Sequence, residues 1–405
     1  MIYDVIVIGA GPAGLFSAAN IENKKVLIIE KNKRPGRKLL LTGAGQCNYT
    51  NNCAINEFFD RYGDKGRFIK PALYNFTNQE TIDFFKKRGL RSIIREDDKV
   101  FPSSLKAIDV LNVLIDSVNH AQMLLNTSVE RVSYDADKKL FYIKTHAFAY
   151  AAYNLIIATG GKSYPDTGST GAGYEFAVSL GHSIVEPKPA LTPIYVENYQ
   201  FSELSGVSFE NIKLSLFKNK KKAKEFAGDF LFTHINISGP VIINNSRYME
   251  AGDIIKINFT AFSNEDDFRS FFESLIQSKT SIKTALKDLA LPRRFVEKAL
   301  EICGIDENLP CSQLSKIQRN SLIQMFSAHP MKIIKLGDYN IAMVTKGGVS
   351  TSEVNSKTME SKKIPGLYFT GEVLDYDGDT GGFNIQAAFS TAKLAADAIN
   401  KHLKD

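Results

Sequence analysis

Three glycines near the start of the chain, Gly9, Gly11 and Gly14, stand as G-x-G-x-x-G in "GAGPAG", and Glu30 follows at the end of the next apolar run. Those residue types at that spacing suit a pyrophosphate. Gly9 permits a tight turn, Gly11 lets the backbone approach the phosphates, and Gly14 lets the helix that follows pack on its strand. Pro12 and Ala13 fill the first turn of that helix, whose free N–H groups and partial positive charge face the anion. Glu30 is placed to accept hydrogen bonds from adenosine ribose hydroxyls, and an acid there favours a free 2′-hydroxyl. A second polar stretch, "GRKLLLTGAGQCNYTNN" (36–52), holds two basic residues, three further glycines and Cys47, with little to bury. Three side chains elsewhere have the chemistry to hand over a proton beside a bound ring: Cys47, Tyr164 and His234.

These residues need elements to position them. Val5–Ile8 and Val26–Ile29 are short continuous apolar runs, as buried parallel strands are written. With the helix between them they make one nucleotide-binding βαβ unit. "YNLIIATGG" (153–161) is a further buried strand, ending at Thr159 and Gly160. Near the C-terminus, the strand 367–370 runs into a loop with Gly371, Glu372, Asp375, Gly378, Gly381 and Gly382, and a helix begins at Phe383. A second glycine loop thus opens a second helix, far from the first in sequence. An extended dinucleotide carrying a ring system at one end needs two such clamps, which favours FAD over NAD. The chain writes no second nucleotide unit, so NADH or NADPH enters only as a possible transient electron donor.

The 405 residues are 44% hydrophobic and 23% charged, an ordinary globular composition long enough for two or three domains. No apolar run approaches the roughly 18 residues of a membrane span, and the N-terminus has no charged-then-apolar leader, so we expect a cytoplasmic protein without membrane contact. Four cysteines, at 47, 53, 303 and 311, form no CxxC pair, and the six histidines are scattered, so no metal site is expected. The net charge of +6 leans mildly toward polyanions. Part of it lies in "KNKKKAKE" (218–225), which reads as a solvated hairpin tip, with Lys218 to Lys224 able to meet a polyanion but no signature of nucleic-acid binding. Oligomeric state is not written in the sequence.

The series "GAGPAG", "GRKLLLTGAGQCNYTN", "ATGGKSYPDTGSTGAGYEFAVSLGHSI", "FLFTHINISGP", "VTKGGV" and "LYFTGEVLDYDGDTGGFNIQAAFSTA" resembles the BaiN-like, or YhiN-type, family of FAD-dependent oxidoreductases, from Tyr3 to about Ala396. The sequence departs from the family at Gln46, where Arg is usual, and at Asn236, where Gly is usual. The resemblance implies an α/β fold: a discontinuous Rossmann-like FAD domain (1–190 and 350–405), an inserted β-rich, barrel-like domain (191–262 and 330–349) and a helical insert (263–329). It implies that FAD is bound non-covalently. The stretch from Arg37 runs along the cofactor toward the flavin, with Arg37 and Lys38 on phosphate or ribose oxygens and Thr42, Gly43, Gly45 and Asn48 nearer the pyrophosphate and ring. Lys31, Val129, Asn384 and Ile385 complete the expected set, and Glu372 and Asp375 organise the flavin end.

For Cys47 three readings stand: a small packing residue, a proton donor, or half of a redox disulfide with Cys53. The family resemblance implies an oxidoreductase, foremost a reductase of a C=C bond fed by NAD(P)H, acting on an enone or on uridine in ribosomal RNA. The alternatives are an oxidase of a small amine such as aminoacetone, using O2, and a non-catalytic redox-sensing flavoprotein. The partner is then a small molecule or RNA.

Overall fold

The computed structural model describes residues 2–402. The chain divides into two compact units. One takes in the residues up to Ala190 and again from Tyr339; the other is Leu191–Asp338.

The first unit is built on a seven-stranded sheet. Ile2–Ile8 lies at its centre, parallel to Val26–Ile29 on one side and to Ala149–Ile157 on the other, so that Val7 faces both Ile28 and Ile156. Val5–Ile8, Val26–Ile29 and Leu155–Ile157, where these strands lie side by side, are buried on both faces, which is why they read as short unbroken apolar runs rather than as alternation. Gln122–Leu124 extends the sheet in parallel beyond Val26–Ile29, and Leu367–Phe369 runs parallel to the end of Ala149–Ile157. Leu140–Thr145 and Val129–Asp135 add an antiparallel hairpin. The helices Pro12–Ala19 and Phe383–His402 pack together, joined by Phe16 and Phe389 with ring centroids 4.9 Å apart. Residues 339–349 lie in this unit rather than with the barrel strands, because Val344–Val349 pairs with Ile184–Ala190.

The second unit holds a closed antiparallel barrel of six strands, in the order Ile194–Val196, Ile237–Ser238, Lys221–Phe232, Ser208–Lys218, Ile254–Asn258 and His329–Leu336. Here inward and outward residues alternate apart from a register shift between Phe209 and Ile212: Phe209, Ile212, Leu214 and Leu216 point inward from one strand and Ile255 and Ile257 from its neighbour. Phe209, Phe230, Phe232, Phe259 and Phe295 form a ring cluster inside, and helix residues Phe268, Phe272 and Phe326 belong to the same core. The helix Glu265–Leu275 starts where the sequence places it. The Asn264 side chain caps it by accepting from the Asp267 N–H at 2.8 Å, with three acids in the first turn. Arg293–Ile302 follows Pro292, and Lys316–Ser327 opens with a Ser315/Gln318 capping box. Among the described residues no helix is long and apolar enough to cross a membrane.

Candidate active site

The glycine turn is built by close contact. Gly9 has φ +103°, and a Cβ there would lie 2.6 Å from the Ala158 carbonyl oxygen. A Cβ on Gly14 would collide with the Gly9 carbonyl oxygen. Gly11 differs: a Cβ there would meet no protein atom within 4 Å. The helix Pro12–Ala19 therefore opens onto free space at Gly11, and no side chain caps it. Its unspent N–H groups are the anion-binding feature the motif requires.

Glu30 is buried and braces this turn. One carboxylate oxygen accepts the Ala10 N–H at 2.8 Å; the other accepts the backbone and side-chain N–H of Asn32 at 2.9 and 2.7 Å. A carboxylate has lone pairs left for ribose hydroxyls after these bonds. Lys31 donates to the Thr170 hydroxyl at 2.9 Å, and Arg37 reaches the Asn32 amide oxygen at 3.3 Å. Asn126 and Thr127, just before Val129, donate backbone N–H groups to the Asn32 and Glu30 carbonyls.

The loop after Leu39 doubles back in left-handed conformation at Gly43, Ala44 and Gly45, with φ of +57°, +53° and +85°. Cys47 is also left-handed, at φ +60°, and its N–H closes the loop onto the Thr42 carbonyl at 2.9 Å. Thr42 Oγ1 is spent on Leu39 O. The Asn48 side-chain oxygen is buried with no hydrogen-bond partner. So is Thr159 Oγ1, at the end of the Ala149–Ile157 strand.

The C-terminal loop meets the first helix directly: a Cβ on Gly371 would lie 2.7 Å from the Ala13 Cβ. Glu372 accepts the Thr345 N–H at 2.8 Å and pairs with Lys38 at 2.7 Å. Lys38 is thus held by a carboxylate. Asp375 is buried and pairs with Lys65. Asn384 clamps the loop by accepting the Gly378 N–H and donating to its carbonyl, both at 2.8 Å. Asn51 donates to the Gly381 carbonyl, a Cβ on Gly382 would collide with Thr50, and Ile385 packs on the core.

Two buried unpartnered polar atoms, an uncapped helix start and open space at Gly11 fit an elongated, phosphate-bearing cofactor of the FAD kind. Pro12, Ala13, Gly160, Gly371 and the Thr42–Asn48 loop would border it.

Of the proton-transfer candidates, Cys47 is fully buried. Burial pushes its thiol up to about 12, with Thr42 pulling the other way. All four cysteines are free, so no disulfide joins Cys47 to Cys53. Tyr164 is half-buried, with φ +56°, held by its N–H on the Tyr339 carbonyl at 2.8 Å. A non-glycine residue in that region costs on the order of 1–3 kcal/mol and needs its surroundings to hold it there. His234 belongs to the second unit. It stands exposed with Ile235 on a tip that Thr233 and Asn236 tie off through side-chain and backbone bonds.

Three residues of this region carry no sequence signal of their own. Thr345 Oγ1 accepts the Lys162 and Ser163 N–H groups, while the Thr345 backbone N–H donates to Glu372. Lys65 neutralises Asp375. The Tyr174 hydroxyl is buried without a hydrogen-bond partner; burial, and then Glu372, Tyr339 and Asp375, raise its pKa.

A family model described as "HI0933-like protein Rossmann domain" matches residues 3–398. Two proteins named ribosomal RNA dihydrouridine synthase are similar over nearly their whole length. The one from Haemophilus influenzae is 33% identical, covering 98% of each chain, and the one from Escherichia coli is 31% identical, covering 97% of each. A 3-dehydro-bile acid delta(4,6)-reductase from Clostridium scindens is 30% identical, covering 97% of this chain and 98% of that one. Among solved structures, a 3-ketosteroid delta1-dehydrogenase from Sterolibacterium denitrificans superposes with a TM-score of 0.53 at 12% identity, covering 99% of this chain and 100% of that one. A flavocytochrome c3 fumarate reductase gives 0.52 at 13% identity, covering 100% and 79%. At those identities the structural likeness concerns the fold alone. The sequence match, running through both glycine loops and the strands that carry them, makes this chain a member of the HI0933-like family of FAD-dependent oxidoreductases.

Proposed function

We propose that the protein reduces the C=C bond of uridine in ribosomal RNA to dihydrouridine, drawing its electrons from NADH or NADPH. The observation that carries this reading is the near full-length similarity, at 33% and 31% identity, to two proteins named for that reaction. The balance is simple: the alkene gains a hydride at the carbon β to its carbonyl and a proton at the α carbon, while the nicotinamide is oxidised. When bound, FAD supplies the hydride from its reduced flavin.

The chain's own residues must bind, orient and protonate. Gly11 and the helix behind it receive the pyrophosphate, and Glu30 receives the ribose. The Lys38–Glu372 and Lys65–Asp375 pairs hold two carboxylates of the second loop in fixed positions, so that the flavin end meets a preorganised wall. Tyr164 holds the proton for the α carbon on its phenol and regains it from solvent. Cys47, neutral and fully buried, packs the turn. His234 is a lesser candidate for the same proton, exposed on its own unit.

The test is an anaerobic titration with NADH and NADPH while the flavin band is followed, then addition of ribosomal RNA. Bleaching, reoxidation by RNA, and a two-hydrogen mass gain in a uridine-bearing fragment are expected. Reoxidation by a steroid-like enone acid and not by RNA would move the substrate to the class named by the 30%-identical relative. Reduction by a small amine with rapid reoxidation in air would instead make the protein an oxidase.

A further inference from the structure

Resting on the reading of RNA as substrate, we propose that the outer face of the six-stranded barrel is where the RNA strand lies, with phosphates on its lysines and a base against Phe217. The cross-strand register lines up exposed side chains in rows. Lys222, Phe217, Ile254 and Lys332 face one another across four adjacent strands. The next row is Glu225, Ser215, Lys256 and Pro330. Lys213 projects from the row beyond, opposite Ala227. The residues between them, Leu214, Leu216, Ile255 and Met331, point into the core, so alternation sends these lysines outward.

The face therefore presents a half-buried aromatic and Ile254, ringed by four exposed lysines. Lys256 Nζ lies 5.1 Å from the Phe217 ring centroid. The carboxylates that meet these cations are Glu225, paired with Lys222 and also within the electrostatic reach of Lys213, and Glu197, on Lys332 at 3.1 Å. Both are exposed pairs, which stabilise little and yield to a phosphate. Lys213 and Lys256 have no ion-pair partner within 4 Å among the described residues. A predominantly basic surface, with an aromatic set among the cations, matches a single strand, whose phosphates repeat and whose bases each offer a stacking face.

The lysine run 218–224 is a different matter, although it is the denser in charge. Lys218 meets Asp253 at 3.2 Å and Glu250 at 3.7 Å, Lys222 meets Glu225, and Lys224 sits 3.7 Å over the Tyr248 ring. The run lends this surface Lys220 and Lys221 at its tip, but the barrel face supplies the flat part.

The experiment measures binding of a fluorescein-labelled oligouridylate by anisotropy across a salt series, with the full-length holoprotein. Lys213→Glu combined with Lys256→Glu should weaken binding about tenfold and lower the salt slope by about 1.4, as expected for two single-strand phosphate contacts. Phe217→Leu should weaken binding several-fold with the slope unchanged, since stacking releases no counterion. Lys138→Glu, a reversal in the other unit, should leave both unaltered. Melting by circular dichroism confirms that each variant is folded. The proposal is overturned if the double reversal binds like the parent, if Lys138→Glu loses as much, or if the parent does not bind the oligonucleotide. Dihydrouridine formation is assayed separately by mass. A protein that binds through this face yet makes none loses its substrate assignment and keeps the surface. One that makes dihydrouridine while the barrel variants bind normally loses only the surface.

Discussion

At the scale of single residues, what separates the candidates is the state in which each proton is held. The Cys47 thiol, pushed up to about 12 by burial, stays protonated and is not a nucleophile at neutral pH. Native protein should resist iodoacetamide at Cys47 and take it up only on unfolding, read by peptide mass; fast native labelling would mean an open, ionised thiol. Cys47→Ala should cost about 1 kcal/mol of stability, typical of trimming a buried side chain, and leave flavin reoxidation by substrate close to the parent rate. Tyr164→Phe should slow that reoxidation about 10²-fold, the usual worth of a positioned acid, while flavin reduction and cofactor content stay the same. Equal rates for Tyr164→Phe and the parent would take the phenol out of the mechanism. The Glu30 motif was legible from position alone. That its oxygens also tie down Ala10 and Asn32 was not, because those partners are fixed by the path of the backbone.

At the scale of elements, the G-x-G-x-x-G turn makes a paired prediction, since its glycines serve different ends. Gly14→Ala forces a Cβ onto the Gly9 carbonyl oxygen. It should destabilise the protein by about 1–3 kcal/mol, as overpacking does, and lower its melting temperature. Gly11→Ala meets no protein atom within 4 Å, so the apoprotein should melt like the parent. The methyl then fills the cradle, and FAD affinity should fall at least about tenfold, a loss of about 1.4 kcal/mol. Equal FAD retention by the Gly11 variant, measured from the flavin band after gel filtration, would mean that the pyrophosphate binds elsewhere. The barrel hairpin offers a second case. Asn219 and Lys220 at its tip both have positive φ, +50° and +64°. Such two-residue turns suit Asn-Gly, so Lys220→Gly should stabilise the hairpin slightly.

At the scale of the whole molecule, each unit carries its own acid-sensitive group. In the second unit, burial lowers the His329 pKa from 6.5 to about 4. The unfolded chain then takes up a proton before the folded one. The contribution is complete above pH 6.5 and is lost as pH falls toward 4. In the first unit, Glu353 falls from 4.5 to about 2; burial opposes the shift, and Lys363 with both donors of Ser183 outweighs it. Its contribution is complete above pH 4.5 and is lost as pH falls through 2. Melting temperature against pH should therefore drop in two windows. His329→Gln should flatten the upper one and Glu353→Gln the lower. A single transition unaffected by either substitution would count against both.

Much of the architecture was decided by local pattern, because the signals involved are local. Buried parallel strands must be apolar throughout, a phosphate turn must be glycine-rich, and a helix start needs a cap; Val26–Ile29, Gly9–Gly14 and Asn264 each announce themselves within a few residues. The glycine motifs were enough to name the cofactor class, whereas the inserted barrel was expected only from the family resemblance. Tertiary structure alone decided which residues meet across long separations. Lys38 finds Glu372 and Lys65 finds Asp375 only because the sheet brings the second loop onto the first helix at Gly371 and Ala13. It also decided how the lysines are spent. A dense run in sequence is largely paired in the fold, whereas Lys213, Lys256 and Lys332, far apart in the chain, share one face because strand register and pleat put them there.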